Sequence, residues 1–293
     1  MQFFLQAVLD GILLGGVYAT LALGISLAYG IMDVINWAAG ETLMLGMYLA
    51  FVLISSFGMD PYATIFVTFP VMFALGFFMQ KFMLNGIMVR SGHFAGHNVL
   101  LFTAGFSYIA SSLISIFFGT LTKSAVVPYA NSSISFGNFV APLTKLVSCI
   151  IAVGATLILF LFIHRSEIGR AIRATSQDRD TAKLMGINSN LMFCIGFALS
   201  FALLGLTASL LIPYFPITPY IGATFSFKAF IIVVVGGKGN IMGALTGGMF
   251  VGLVEKVFGS MVNDSFAQIL VFCLLILVLL VRPDGLLSGR HEG

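Results

Sequence analysis

The sequence predicts an all-α integral membrane protein of about eight full transmembrane helices plus one short broken helix, with the N-terminus outside and the C-terminus cytoplasmic. Three observations predict it. Hydrophobic residues make up 59% of the 293 residues and charged residues only 9%, where a soluble domain carries roughly a quarter charged residues; mean hydropathy is +1.07. Apolar runs long enough to cross a hydrocarbon core recur along the whole chain. The basic residues sit in short connections and fall mainly on one side of the implied topology.

The first run, 7–30, is preceded by no Lys or Arg, the first basic residue being Lys81. It lacks the positive region of a cleavable signal peptide and is expected to be a retained span. Runs at 41–57, 61–83, 98–119, 143–164 and 190–212 follow, then 240–258 and 265–282. Phe227 to Gly236 is also apolar, but at 1.5 Å per residue it covers only about 15 Å of a ~30 Å core. It reads as a half-helix broken at Gly236-Gly237-Lys238-Gly239-Asn240. Such a break survives at membrane depth only under protein or against a wet cavity, which places it in the middle of the assembly.

With the N-terminus outside, the inner side holds Lys81, Arg90, Arg165, Arg170, Arg173, Arg179, Lys183, Lys238, Arg282 and Arg290, and the outer side only Lys123, Lys145, Lys228 and Lys256. That bias puts the segment from Arg165 to Lys183 in the cytoplasm. The longest polar connection, Thr120 to Pro142, lies outside, and residues 1–293 form a single membrane domain. The net charge of +3 is scattered over loops, which gives nucleic-acid binding no support.

The chemistry that the composition excludes is as informative. Asp10, Asp33, Glu41, Asp60, Glu255, Asp264 and Asp284 fall at or near predicted helix ends, and Lys228 and Lys256 map toward outer ends. Span interiors are therefore expected to be nearly free of ionisable groups, which argues against proton or sodium coupling within this chain. Cys149, Cys194 and Cys273 stand alone in apolar runs and read as small buried hydrophobes. His93 and His97 have metal-like spacing only if helical, and Gly92 and Gly96 argue for a loop. Val233 to Gly239 imitates a phosphate loop but has Ile232 where the first Gly is needed and Gly239 after the Lys. No catalytic, cofactor or metal site is expected.

Glycines recur at four-residue steps: Gly11 and Gly15, Gly239, Gly243 and Gly247, and Gly248 and Gly252. That period lets a neighbouring helix approach closely. Asn36, Gly40, Glu41, Gly237 and Gly239 are polar or irregular positions at the inner ends of spans and are candidates for a gate on a translocation path. Asn36 and Glu41 are equally well read as caps of a helix beginning near Thr42.

The charged segment has its own pattern. Gly169 to Ser176 is predicted to form a short helix, Asp178 to cap a second from Arg179 to Met185, and Gly186 to end it in a left-handed cap. Ala171, Ala174 and Ala182 keep its surface low, while Arg170, Arg173, Arg179 and Lys183 ring it with donors. From the residues alone this is either a docking surface or a solvated loop held inside by its charge.

Ser166, Glu167, Gly169, Arg170, Ala171, Arg173, Ala174, Gln177, Asp178, Gly186 and Ile187 resemble the cytoplasmic coupling loop of permease subunits in ABC importers for branched-chain amino acids, the LivH-like family. The resemblance covers most of the chain. It includes Gly15-Gly16-Val17-Tyr18-Ala19 with Leu23-Gly24 and Tyr29-Gly30, and Asn36-Trp37-Ala38-Ala39-Gly40-Glu41 with Met44-Leu45-Gly46. The block Gly236-Gly237-x-Gly239 with Gly243-Ala244 and Gly247-Gly248, and the ending Arg282-Pro283-x-Gly285-Leu286, complete it. The family usually has His at Ala39 and an apolar residue at Lys238.

The resemblance implies a permease without its own ATPase site, in a bacterial inner membrane, that passes branched-chain or related small amino acids. Alternatives are urea, short amides or polar amino acids within the same family, and more distantly a passive channel. It implies a second, LivM-like permease subunit, two cytoplasmic ATPase subunits carrying ATP and Mg, and a periplasmic solute-binding protein. It assigns ATPase coupling to the 165–189 loop, through Glu167, Gly169, Arg170, Arg173, Gln177, Asp178, Ala182 and Gly186.

Overall fold

A computed structural model of the chain describes residues 2–32, 36–91, 95–125, 127, 129, 132–136, 139–237 and 239–281. Asp33, His93 with Gly92, Lys238, and the ending from Arg282 through Asp284 to Arg290 lie outside the described residues.

The helices are α1 (Gln2–Met32), α2 (Ala39–Phe57), α3 (Ile65–Phe78), α4 (Asn85–Ser91), α5 (Ala95–Phe118), α6 (Leu143–Arg165), α7 (Glu167–Gln177), α8 (Arg179–Leu184), α9 (Ser189–Leu211), α10 (Ile221–Gly236), α11 (Ile241–Met261) and α12 (Asp264–Val281). A π-helical segment, Met79–Leu84, joins α3 to α4 without a break. Among the described residues six helices are long and apolar enough to cross a membrane: Phe4–Met32, Ala39–Phe57, Ile65–Met88, Gly96–Phe118, Leu143–Arg165 and Ser189–Leu211. Ile221–Gly236 and Phe266–Val281 are shorter apolar helices.

α9 is apolar all round and almost entirely buried, which makes it the hub. α1 crosses it through small and hydroxylated residues: Thr207 Oγ1 donates to Thr20 Oγ1, and Ser200 Oγ donates to the Gly24 carbonyl. α6 shows the opposite pattern to a soluble helix. Its buried stripe is Thr144, Ser148, Ala152, Thr156, Leu159 and Ile163, while Ile150, Leu157 and Ile158 face outward and exposed. Small and hydroxylated residues inside, with large apolar ones outside, suit a helix packed against protein on one side and lipid on the other.

α1 and α6 start at the same end, because Lys145 at the start of α6 pairs with Asp10 of α1 at 2.7 Å. Both helices then run the same way, so α7 emerges at the end of the bundle opposite the N-terminus.

Several expectations need correction. The long polar connection carries a two-stranded hairpin, β1 (Ser133–Phe136) and β2 (Phe139–Pro142), paired antiparallel with Ser133 opposite Pro142. Gln6 ties this hairpin to α1, its side-chain amide donating to the Val140 carbonyl at 2.7 Å and accepting from the Val140 N–H at 3.2 Å. The half-helix expected over Phe227–Gly236 is α10, which begins earlier and has 16 residues, about 24 Å of rise. It contains Ser226 and Lys228, polar residues whose side chains find partners inside the bundle. Gly96 and His97 lie within α5, not in a loop. Cys194 is buried, but Cys149 is only half-buried and Cys273 is exposed.

Candidate functional site

The charged segment is a pair of short helices set by local chemistry. Ser166 leaves α6 in an extended conformation and caps α7, its Oγ accepting from the Gly169 N–H at 2.9 Å. Gly169 then passes so close to the end of α6 that a Cβ there would stand 2.4 Å from the Ile163 carbonyl oxygen. Gly169, Ile172 and Thr175 are the buried face of α7, against α6, α9 and α1. Glu167, Arg170, Arg173 and Gln177 are exposed at three- and four-residue steps, so they share the outer face. The Arg170 to Glu167 pair at 3.9 Å is exposed on both sides and adds little stability.

Asp178 turns the chain from α7 into α8. Its carboxylate accepts from the Asp180 and Thr181 N–H groups at 2.9 and 3.1 Å and from the Thr181 hydroxyl. Those hydrogen bonds, the hydroxyl first, hold its pKa below the usual carboxylate value. Ala182 is buried beneath α8, and Gly186 closes it at φ 82°. There the Gly186 N–H donates to the Lys183 carbonyl and the Ile187 N–H to the Ala182 carbonyl, both at 3.0 Å.

Arg179 does not belong to the exposed rim. Its guanidinium donates to Asn190 Oδ1 at 2.7 Å and lies 5.0 Å from the Phe193 ring, which ties α8 to α9. The rim instead contains two apolar residues that the sequence reading missed, Leu184 and Met185, 87% and 79% exposed. Their signal was available: adjacent apolar residues between a charged helix and its capping glycine.

The gate candidates divide into two places. Asn36, Gly40 and Glu41 meet the first turns of α10. A Cβ on Gly40 would lie 2.0 Å from the Gly222 carbonyl oxygen. The Gly40 N–H donates to Ser226 Oγ at 2.9 Å, and Ser226 Oγ is 3.4 Å from Glu41 Oε2. The helix here begins at Ala39, earlier than Thr42, and Asn36 accepts from the Ala38 N–H instead of capping it. Gly237 and Gly239 lie beyond the other end of α10, at φ 97° and 73°, with Gly239 against Gly30 of α1. Fifteen residues of helical rise, about 22 Å, separate Gly222 from Gly237. The structure therefore does not bring the five candidates together. Around the first group lies a cavity of about 230 Å3 whose lining includes Ile25, Asn36, Ser226, Phe230 and Leu275. The Asn36 side-chain nitrogen there is buried without a partner.

A family model described as "Branched-chain amino acid transport system / permease component" matches residues 7–279. The chain belongs to that permease family. It is 32% identical to the high-affinity branched-chain amino acid transport system permease protein LivH of Salmonella typhimurium, over 99% of this chain and 97% of that protein. The corresponding protein BraD of Pseudomonas aeruginosa is also 32% identical over 99% of this chain and 97% of its own length. A probable LivH of Methanocaldococcus jannaschii is 27% identical over 96% of this chain and 92% of its own. No solved structure matches.

The permease is a multi-pass membrane protein whose glycines set its tightest helix contacts. Gly11 and Gly15 of α1 face Gly248 and Gly252 of α11, where a Cβ on Gly252 would stand 2.5 Å from the Gly15 Cα. Gly243 and Gly247, on a second face of α11, meet Gly236 and the Ile232 carbonyl of α10. The same three helices enclose charges that the sequence reading placed at helix ends. Lys228 and Glu255 are buried and paired at 2.8 Å. The expectation of nearly charge-free span interiors is thereby corrected, because a pair 27 residues apart can satisfy itself only after α10 and α11 pack.

Proposed function

We propose that this chain is the permease subunit of an ABC importer that carries branched-chain or related small amino acids inward across a bacterial inner membrane. The single observation behind this, beyond family membership, is the mechanical form of the 165–189 segment. It is a capped, basic, apolar-tipped pair of helices at the end of the bundle opposite the N-terminus, joined to α6 through Gly169 and to α9 through Arg179 and Ser189.

In this reading residues 1–293 act as one membrane domain of about eight full spans plus the short broken helix α10, with the N-terminus outside and the C-terminus cytoplasmic. Two cytoplasmic ATPase subunits bind ATP and Mg and dock on α7 and α8. A second, homologous permease completes the pathway, and a periplasmic binding protein delivers the solute. The chain itself catalyses nothing and holds no cofactor. Closure of the ATPases pushes on Arg170, Arg173, Leu184 and Met185, and the close-packed joints pass the movement to α6 and α9 as a shift between two discrete packings.

The test is charge reversal on the outer face of α7. Arg170→Glu with Arg173→Glu is expected to abolish ATP-driven uptake and the stimulation of ATP hydrolysis, while membrane insertion stays normal. Normal transport by the double variant overturns the coupling assignment, and uptake that continues without ATP indicates a passive channel instead.

A further inference from the structure

Tyr18, Lys228 and Glu255 form a buried polar cluster that the coupling scheme leaves without a task. Lys228 Nζ donates to Glu255 Oε1 at 2.8 Å and to Tyr18 Oη at 2.9 Å, and Tyr18 Oη donates to the same Glu255 oxygen at 3.2 Å. Lys228 and Glu255 are each 8% exposed. Both donors crowd onto Oε1, and Glu255 Oε2 is buried with no hydrogen-bond partner. An orphan oxygen of a buried charged group forfeits hydrogen bonding that elsewhere is nearly always made. Ionisable groups at membrane depth mark solute or ion handling by default.

Lys228 and Glu255 also line a cavity of about 180 Å3 among α10, α11 and α12. Ile231, Val271 and Phe272 supply apolar wall, while Thr224 and Gln268 bring polar groups to it and are exposed at its rim. At ~30 Å3 per water in the liquid, the space equals roughly six waters, enough for one small solute and too little for a peptide.

We propose that this cavity is a transit site for a small apolar α-amino acid in its zwitterionic form. The Glu255 carboxylate turns its unpartnered oxygen into the cavity to accept from the ammonium, the guest's carboxylate accepts from the Thr224 hydroxyl and the Gln268 amide, and the side chain rests on Ile231, Val271 and Phe272. A zwitterion fits where a single ion does not: Lys228 already offsets Glu255, so a neutral guest adds no net charge to a low-dielectric region. This proposal rests on the amino-acid import reading and names the place where the cargo's charges are read.

The experiment uses the complete importer with Cys149, Cys194 and Cys273 replaced by Ala and a single reporter, Ala223→Cys, in the cavity wall. Maleimide labelling is followed with L-leucine, with 4-methylpentanoate, which lacks the ammonium, and with 3-methylbutylamine, which lacks the carboxylate. Leucine is expected to slow labelling and the two analogues are not. Glu255→Gln should weaken leucine protection about tenfold, the factor lost with one charge-assisted hydrogen bond. Gln268→Leu, which leaves the buried cluster intact, should weaken it too. If leucine does not protect, or protects both variants as well as the parent, the site is wrong; equal protection by 4-methylpentanoate removes the ammonium contact. ATP-dependent leucine uptake by the same reporter complex is measured in parallel. Uptake without protection defeats the site alone, whereas protection without uptake defeats the importer reading alone.

Discussion

Lys228 and Glu255 pair at 2.8 Å in a setting where both side chains are about nine-tenths buried, so each depends on the other far more than a surface pair does. Lys228→Met alone strands a carboxylate inside the bundle and is expected to cost about 3–5 kcal/mol. Lys228→Met with Glu255→Leu should recover most of that loss. Thermal unfolding of the purified complex checks both, and a single variant as stable as the parent shows that the pair is not a buried ion pair. Gly169 illustrates a different residue-level duty. It stands among charged neighbours, but its contribution is clearance beneath the Ile163 carbonyl. Its place in a motif was legible from sequence, and the reason for it was not, because the clash involves backbone that only the folded turn brings near.

The two helices of the 165–189 segment were legible because their signals are local: Ser166 and Asp178 as caps, and Gly186 as the stop. Asp178 makes this testable by pH. Its folded pKa is depressed below the ordinary carboxylate value by the Thr181 hydroxyl and the amides that it accepts from. The cap therefore contributes fully above that value and is lost as pH falls through the lower, folded one. Hydrogen exchange of the α8 amides, corrected for intrinsic rate, should be steady from neutral pH to about 5 and rise only in the acid range below the ordinary carboxylate pKa. Asp178→Asn should remove that acid dependence while keeping a cap; an unchanged acid response would show that another group controls α8. Leu184 and Met185 escaped notice because apolar residues draw no attention in so apolar a chain. The glycine period on α11 was visible too, but its division into one face for α1 and another for α10 follows from the twist of packed helices.

At the scale of the molecule, the 120–142 connection lies with the start of α1, through Gln6 and the Lys123 to Ile217 bridge to the loop before α10, and the charged segment lies at the far end. With the reporter Cys residues introduced into a cysteine-free background, an impermeant maleimide applied to whole cells should label Leu121→Cys. It should reach Leu184→Cys only after permeabilisation. The reverse pattern turns the bundle over and removes the proposed ATPase docking face. By itself the sequence determined that this is a membrane protein, where its charges gather and which permease family it joins, since composition, caps and motifs are read one stretch at a time. Tertiary structure alone decided that Lys228 and Glu255 neutralise each other inside, that α10 starts several residues earlier than its apolar run, and that the gate candidates occupy opposite ends of that helix. The physical reason is that linear pattern reports each residue's preference for lipid or water. Which polar groups meet, and at what depth, depends on crossing helices far apart in the chain.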